Sequence, residues 1–158
     1  VSKNAEDICL NFPADDPELQ EMDALFAEAL GKSPIEILRG TDDFLAVFET
    51  EQQIQTMNPD FTKLAKINSR GVVISAPGND VDFVSRCFFP QTGVDEDPVT
   101  GSAHTMLIPY WAKQLDKIEF KAHQLSARGG ALDCKLINNR VLISGKSVIY
   151  FEGMISII

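Results

Sequence analysis

The chain has little of the chemistry that disulfide frameworks and metal sites require. Its three cysteines, Cys9, Cys87 and Cys134, lie far apart and include no Cys-x-x-Cys pair. The sequence therefore predicts free thiols in a reducing, cytoplasmic compartment. The two histidines, His104 and His123, have no metal-ligand spacing with those thiols, so no metal site is predicted.

Positive charge is also scarce. The chain carries 14 Lys and Arg against 23 Asp and Glu, for a formal net charge of -9, and the cations do not cluster. An acidic surface repels phosphate backbones, so nucleic acid is not an expected partner. No apolar run approaches the roughly 20 residues that span a bilayer, and the N-terminus lacks the features of a signal peptide. Because the chain begins with Val1 rather than Met, we expect a fragment or a processed piece.

What is present is enough apolar sequence for one domain or two small lobes, since 44% of the 158 residues are hydrophobic. Strands are predicted over 7–12, 35–38, 44–49, 71–76, 82–89, 118–126, 131–137, 140–144 and 148–157. Helices are predicted from Pro17 to a stop at Gly31, at Asn58, and over 102–115. The last of these is apolar enough to be buried on most sides, with Trp111 inside the lobe and its indole N–H paired. Strands around one central helix are the simplest assembly.

The most informative stretch joins acidic residues to the start of that central helix. Asp97 precedes Pro98, and the small residues Thr100, Gly101 and Ser102 then lead into the apolar run. Free N–H groups at a helix N-terminus bind anions, and glycine lets a ligand approach the backbone closely. The spacing therefore places a proton-transfer group beside an anion site. An ordinary Asp-Pro turn, with Thr100 or Ser102 capping the helix, fits the same spacing.

The nine residues 96–104, Glu-Asp-Pro-Val-Thr-Gly-Ser-Ala-His, resemble the signature of the phenazine-biosynthesis isomerase-like family, relatives of diaminopimelate epimerase. The segments that also resemble family sequences are 10–14, 82–90, 109–111 and 124–130. The similarity therefore spans nearly the whole chain, and the metazoan members known as MAWD-binding-protein-like are especially similar.

The resemblance implies an α+β fold, a diaminopimelate-epimerase-like lobe in which a β-rich shell surrounds a central helix. Family members have two such lobes, with the site in the cleft between them. Residues 1–158 match the second, C-terminal lobe, and the proton-abstracting Glu and Gly-His-Ala turn of the first lobe do not appear. We therefore expect a chain that is inactive alone, and that either binds a missing first lobe or self-associates. Its apolar contact face is expected to include 153–158.

The chemistry implied is isomerisation without a cofactor, by proton abstraction and return at a carbon of a small carboxylate-bearing metabolite. Asp97 and Ser102 match the family's catalytic positions. The substrate- and anion-binding residues implied are Thr100, Gly101, Ser102 and Ala103. Arg86, His104 and Arg128 are further candidates, although a structural ion pair explains each arginine equally well. No cysteine lies at the motif, so thiol chemistry is not expected. The competing function is a non-catalytic protein-interaction or anion-binding module.

Overall fold

The computed structural model describes residues 1–4, 7–148 and 150–156, and in these ranges the chain forms eleven strands and four α-helices. The strands are β1 (Ser2–Asn4), β2 (Asp7–Pro13), β3 (Glu18–Leu19), β4 (Glu36–Arg39), β5 (Asp43–Val47), β6 (Gly71–Pro77), β7 (Phe83–Phe89), β8 (Val94–Asp97), β9 (Glu119–Gln124), β10 (Gly130–Ile137) and β11 (Arg140–Lys146). The helices are α1 (Ala24–Leu30), α2 (Glu51–Gln55), α3 (Phe61–Leu64) and α4 (Gly101–Leu115), with a short 3-10 helix at Pro90–Thr92.

All eleven strands belong to one sheet that branches at β7. The order is β1-β2-β11-β10-β9-β7-β6-β5-β4-β3, and β8 pairs with β7 off this path. The first half of β7 runs parallel to β9, with Ser85 opposite Gln124. Its second half pairs with β8, with Cys87 opposite Asp97. The branch therefore brings the end of β9 beside the end of β8.

The central helix α4 is buried from Ala103 to Trp111, apart from the partly exposed Thr105. It contacts β2, β5, β10 and β11, which come from both halves of the sheet, so strands wrap around it. Its core partners include Leu45, Val73, Phe83, Phe120, Leu132 and Val141. The prediction of a largely buried central helix is confirmed, and its exposed residues lie at the two ends, at Ser102 and over 113–115. No helix in the described ranges is both long and apolar enough to cross a membrane.

Trp111 lies where the sequence predicted, inside the lobe. Its ring stacks on Phe83 at 5.6 Å between centroids, and its indole N–H donates to Ser75 Oγ at 2.9 Å. A buried indole needs such a partner, because an unpaired buried donor costs about 1–3 kcal/mol.

Pro109 interrupts the hydrogen bonding of α4 without ending the helix. Proline has no backbone N–H, so the carbonyl of Thr105 lacks its usual donor four residues later. The backbone N–H of Asp15 donates to that carbonyl instead, at 3.0 Å. The connection after β2 is thereby fastened to the central helix.

A second core lies on the other face of the sheet. The short helices α1, α2 and α3 cover strands β4 to β7, and the buried residues there include Phe26, Leu30, Ile54, Leu64, Ile74 and Phe88. This half of the lobe therefore has three layers, with the sheet between α4 and the short helices. Both faces of β6 and β7 are buried, in agreement with their nearly continuous apolar sequence.

The predicted start of the first helix is wrong. Glu18–Leu19 forms β3 on the edge of β4, and α1 begins only at Ala24. Asp23 is the N-cap, and its side chain accepts a hydrogen bond from Leu25 N at 2.9 Å. The predicted stop is confirmed, since Gly31 ends the helix with φ +71°. Helix α2 and strand β8 were not predicted.

The strand predicted over 148–157 is wrong where the structure describes it, because residues 148 and 150–156 contain no strand. Ile149 and residues 157–158 lie outside the described residues. Strand β11 already lies between β2 and β10, so the chain that follows it meets no open edge beside it. The apolar side chains exposed there are Val148, Tyr150, Phe151, Met154 and Ile155. The apolar exposure expected within 153–158 is thus present at Met154 and Ile155.

Candidate active site

A cavity of about 260 Å³ opens at the N-terminal end of α4. Its lining includes Arg70, Phe89, Val94, Asp97, Thr100 and Ser102. Larger depressions exist elsewhere on the surface. One of them lies beside β9 and β10, and its lining includes the ion pairs Lys117–Asp82 and Lys135–Glu119. We place the site at the smaller cavity because an acid, a hydroxyl and a cation meet there at a helix N-terminus.

Asp97 is the last residue of β8 and is half-buried. Its Oδ2 accepts a hydrogen bond from Thr100 Oγ1 at 2.5 Å. Thr100 occupies the N-cap position of α4 but makes no side-chain cap hydrogen bond, since its hydroxyl is committed to Asp97. The N–H groups of the first helical turn have no acceptor within the helix and are left for another partner. The interpretation as an ordinary Asp-Pro turn requires Thr100 or Ser102 to cap the helix through its side chain, and neither residue does so.

Ser102 lies in the first turn of α4 and is held by a residue that sequence reasoning missed. Arg70, immediately before β6, donates from Nη2 to Ser102 Oγ at 3.2 Å. The same guanidinium donates from Nε to Asp43 Oδ1 at 2.9 Å and from Nη2 to Asp43 Oδ2. The hydrogen bond to Asp43 raises the pKa of Arg70, with further attraction from Asp42 and an opposing effect of burial. A fixed positive charge therefore lines the cavity.

Gly101 and Ala103 contribute only backbone to this end of the helix. Gly101 is half-buried, and a Cβ there would meet Leu10 Cδ1 at 3.4 Å. The side chain of Ala103 is buried in the core around α4. Any role in binding an anion therefore rests on their N–H groups, as the sequence interpretation assumed.

Gln124 was not assigned a role, although its segment carries part of the family resemblance. The side chain is fully buried at the end of β9. Its side chain accepts a hydrogen bond from the backbone N–H of Thr100 and donates to the Thr100 hydroxyl. It also donates to the backbone carbonyl of Asp97. Ser126 holds the same turn by donating to Pro98 O at 2.7 Å. Two residues of one segment thus fasten the turn that carries Asp97.

His104 lies in the core and not in the lining of the cavity. Its Nδ1 is 2.8 Å from Thr100 O, and because a carbonyl only accepts, Nδ1 carries the proton. Its Nε2 is buried without a hydrogen-bond partner among the described residues. Burial lowers the pKa of His104 to about 4, and the hydrogen bond to Thr100 opposes this only in part. A direct contact between His104 and a substrate is not supported by this placement.

The buried His104 predicts a pH dependence of stability. Its pKa falls from the ordinary 6.5 to about 4 in the folded chain. The unfolded chain therefore binds more protons between pH 6.5 and pH 4, and stability is lost as the pH is lowered through that window. Relative to His104→Gln, the free energy of unfolding should fall by on the order of 3 kcal/mol, at about 1.4 kcal/mol per pKa unit. Urea unfolding at a series of pH values measures the difference.

The exposed His123 on β9 is the matched control. His123→Gln makes the same substitution at an exposed position and so controls for the loss of a histidine outside the core. If the free energy of unfolding falls by the same amount in the parent and in His104→Gln between pH 6.5 and 4, His104 does not stay neutral in the core.

The two arginine candidates lie away from the cavity lining. Arg86 donates from Nε and Nη2 to the two carboxylate oxygens of Glu96, at 2.7 and 2.9 Å, and from Nη1 to Met57 O at 2.7 Å. This is the structural ion pair that the sequence left as the alternative. Arg128 is exposed in the loop between β9 and β10. Neither side chain is positioned to contact a ligand beside Asp97.

Cys87 lies opposite Asp97 in the β7–β8 pairing, which brings a thiol near the site. It is fully buried, and burial raises the pKa of its thiol far above the ordinary value. The thiolate is the reactive form of cysteine, so this placement disfavours thiol chemistry. Cys9 and Cys134 are also free thiols.

Comparison with known proteins gives consistent matches over almost the full chain. The profile of the family described as phenazine biosynthesis-like protein matches residues 2–153. An uncharacterized isomerase of Pseudomonas aeruginosa is 46% identical over 155 residues, with 98% of this chain and 59% of the relative covered. The phenazine biosynthesis-like domain-containing protein 1 of Mus musculus is 35% identical over 178 residues, with 98% and 61% covered.

Solved structures agree with these matches. A phenazine biosynthesis protein of the PhzF family from Enterococcus faecalis superposes with a TM-score of 0.91 at 40% identity, covering 95% of this chain and 58% of that one. A phenazine biosynthesis PhzC/PhzF protein from Clostridium difficile, described as putative, gives a TM-score of 0.87 at 37% identity, with coverages of 98% and 60%. The chain thus spans about three fifths of the length of the relatives it matches.

Proposed function

Because this chain belongs to the phenazine biosynthesis-like protein family, we propose that it supplies one wall of the active site of a cofactor-independent isomerase. The family, and the diaminopimelate-epimerase-like fold of its PhzF structures, confirm the resemblance carried by residues 96–104. Relatives named as isomerases support an isomerase-like family. The reaction we propose is the removal and return of a proton at a carbon of a small carboxylate-bearing metabolite.

One observation carries the proposal: the Asp97 carboxylate, Ser102 and Arg70 line one cavity at the uncapped start of α4. In this arrangement Asp97 accepts or delivers the proton. The free N–H groups of the first turn and the Arg70 guanidinium stabilise negative charge on the substrate carboxylate and on the carbanion that forms. Ser102, held by Arg70, orients the substrate by a hydrogen bond.

A second wall is part of the proposal. Among the described residues that line the cavity, Asp97 is the single carboxylate. One carboxylate moves a proton only along the face of the substrate that it contacts, so a reaction that removes a proton from one face and returns it on the opposite face needs a second proton-transfer group. We propose that this group comes from the portion of the relatives' length that the chain does not span. A second copy of the chain is the alternative source.

The test compares the chain alone with a chimera in which it replaces the matched part of the Pseudomonas aeruginosa relative. Each protein is incubated in deuterium oxide with a panel of small carboxylates, and loss of C–H signal is followed by NMR. The chimera should exchange at least one acidic C–H, and the chain alone should not, because only one wall is present.

Sizing chromatography of the chain alone accompanies the exchange measurements. Exchange by a clean monomer at the chimera's rate would show that one wall suffices and would contradict the proposal. Absence of exchange by the chimera with every carboxylate, together with saturable acetate binding by the chain, would instead support the anion-binding module.

A further inference from the structure

We infer that Gln124 is a positioning residue that fixes the direction of the hydrogen bond received by Asp97, an inference that rests on the proposed proton transfer at Asp97. Gln124 lies at the end of β9, and its side chain is fully buried. The parallel pairing of Ser85 with Gln124 and the pairing of Cys87 with Asp97 place it beside the 97–100 turn. Gln124 does not itself line the cavity, so it acts through Thr100, which does.

All the polar atoms of the Gln124 amide are used on this turn. Its Oε1 accepts from Thr100 N at 2.8 Å, and its Nε2 donates to Asp97 O at 2.7 Å. A backbone N–H only donates and a carbonyl only accepts, so these two contacts fix which end of the amide is oxygen and which is nitrogen. The orientation of the amide is therefore determined by the backbone on either side of Pro98.

That orientation determines where the Thr100 hydroxyl proton points. Gln124 Nε2 lies 3.2 Å from Thr100 Oγ1, and an amide nitrogen only donates, so Thr100 Oγ1 accepts this bond. The one hydroxyl proton of Thr100 is then free for Asp97 Oδ2, 2.5 Å away. Asp97 Oδ2 accepts this bond, and while Thr100 donates it, a proton that Asp97 takes up during the reaction lies on Oδ1. The relay runs from Gln124 Nε2–H to Thr100 Oγ1–H to Asp97 Oδ2.

Ser126 provides a control for a purely structural effect on the 97–100 turn. Its hydroxyl donates to Pro98 O at 2.7 Å and accepts from Gly129 N at 3.0 Å. It therefore stabilises the backbone of the same turn but does not touch the side chain of Thr100 or Asp97. Ser126→Ala is the matched control for Gln124→Met, which keeps the side-chain length and removes the hydrogen bonds.

The activity arm uses the chimera with the carboxylate that exchanges fastest. Gln124→Met and Thr100→Val should each lower kcat roughly 10- to 100-fold, since misplacing a reacting group by about 1 Å costs up to about 100-fold. KM should stay within about twofold. Losing a donor disfavours the ionised carboxylate, so the limb of the pH profile that depends on Asp97 should move to higher pH in both variants. Thr100→Ser should restore the profile, and Ser126→Ala should leave it in place.

A structural arm needs neither activity nor a substitution. In the unsubstituted 158-residue chain, replacing the Thr100 hydroxyl proton by deuterium should produce an isotope shift at the ¹³Cγ of Asp97. An isotope shift at the side-chain carbonyl of Gln124 instead, or an unmoved pH profile in Gln124→Met, would overturn the inference. A chimera without exchange would refute the proposed function alone, because the isotope shift would still report the direction of the hydrogen bond.

Discussion

Asp97→Asn in the chimera is expected to lower isotope exchange by a factor of about 10² to 10⁴, the usual contribution of a positioned acid or base. The amide keeps the size of the carboxylate, and its carbonyl oxygen still accepts the hydrogen bond from Thr100 Oγ1. It cannot take up and release a proton, so the chemistry should be lost while the turn and the fold remain. The exchange rate and the urea unfolding midpoint are measured on the same preparation.

Asp95→Asn is the matched control. Asp95 lies on the same short strand two residues earlier, but it is exposed and absent from the cavity lining. Both substitutions remove one negative charge from β8, so a general effect of charge would appear in both. If Asp97→Asn exchanges within about threefold of the parent, Asp97 does not transfer the proton and the site lies elsewhere.

Phe83→Ala is expected to lower the free energy of unfolding by a large amount. Phe83 is fully buried, and its ring stacks on Trp111 and lies 6.1 Å from the rings of Phe120 and His104. Deleting such a ring removes apolar contacts and leaves a cavity between α4 and the sheet, which costs about 3–5 kcal/mol. That is a large part of the 5–15 kcal/mol that stabilises a typical domain. The free energy of unfolding from urea titration measures the loss.

Phe151→Ala is the matched control, because it removes the same kind of ring from a residue that is 82% exposed. Surface substitutions usually change stability by less than about 0.5 kcal/mol, so this variant should match the parent. Equal destabilisation by the two truncations would mean that residues 150–156 pack against the lobe. A loss below about 1 kcal/mol for Phe83→Ala would mean that the core around α4 is not tightly packed.

The cavity depends on residues that different parts of the sequence supply. Arg70 precedes β6, Ser102 begins α4, and the two are 32 residues apart. The buried carboxylate of Asp43 orients the guanidinium, so Arg70 reaches Ser102 with part of its freedom already removed. The pairing of strands therefore positions the positive charge that lines the cavity, because β5 and β6 run parallel and bring Asp43 beside Gly71.

The sequence by itself determined the features that are encoded locally. The apolar run over 102–115 predicted the central helix because it is apolar on nearly every side, and α4 is buried accordingly. Asp97 and Ser102 lie five residues apart across a turn, so their presence in one cavity follows from a short segment. Alternating and apolar runs predicted most strands of the sheet, and Asn138, with φ +53°, lies in the short turn that joins β10 and β11.

The tertiary structure decided what depends on contacts between distant segments. Strand β8 exists because β7 continues beyond β9 and leaves an edge to pair with, which no local pattern in its acidic sequence indicates. Gln124 reaches Thr100 only through the parallel pairing of β7 with β9. His104 belongs to the signature segment, but helical periodicity turns it into the core, four residues from the carbonyl it binds. Local propensity specifies elements, whereas the partners of a buried polar side chain are fixed only when the sheet closes around α4.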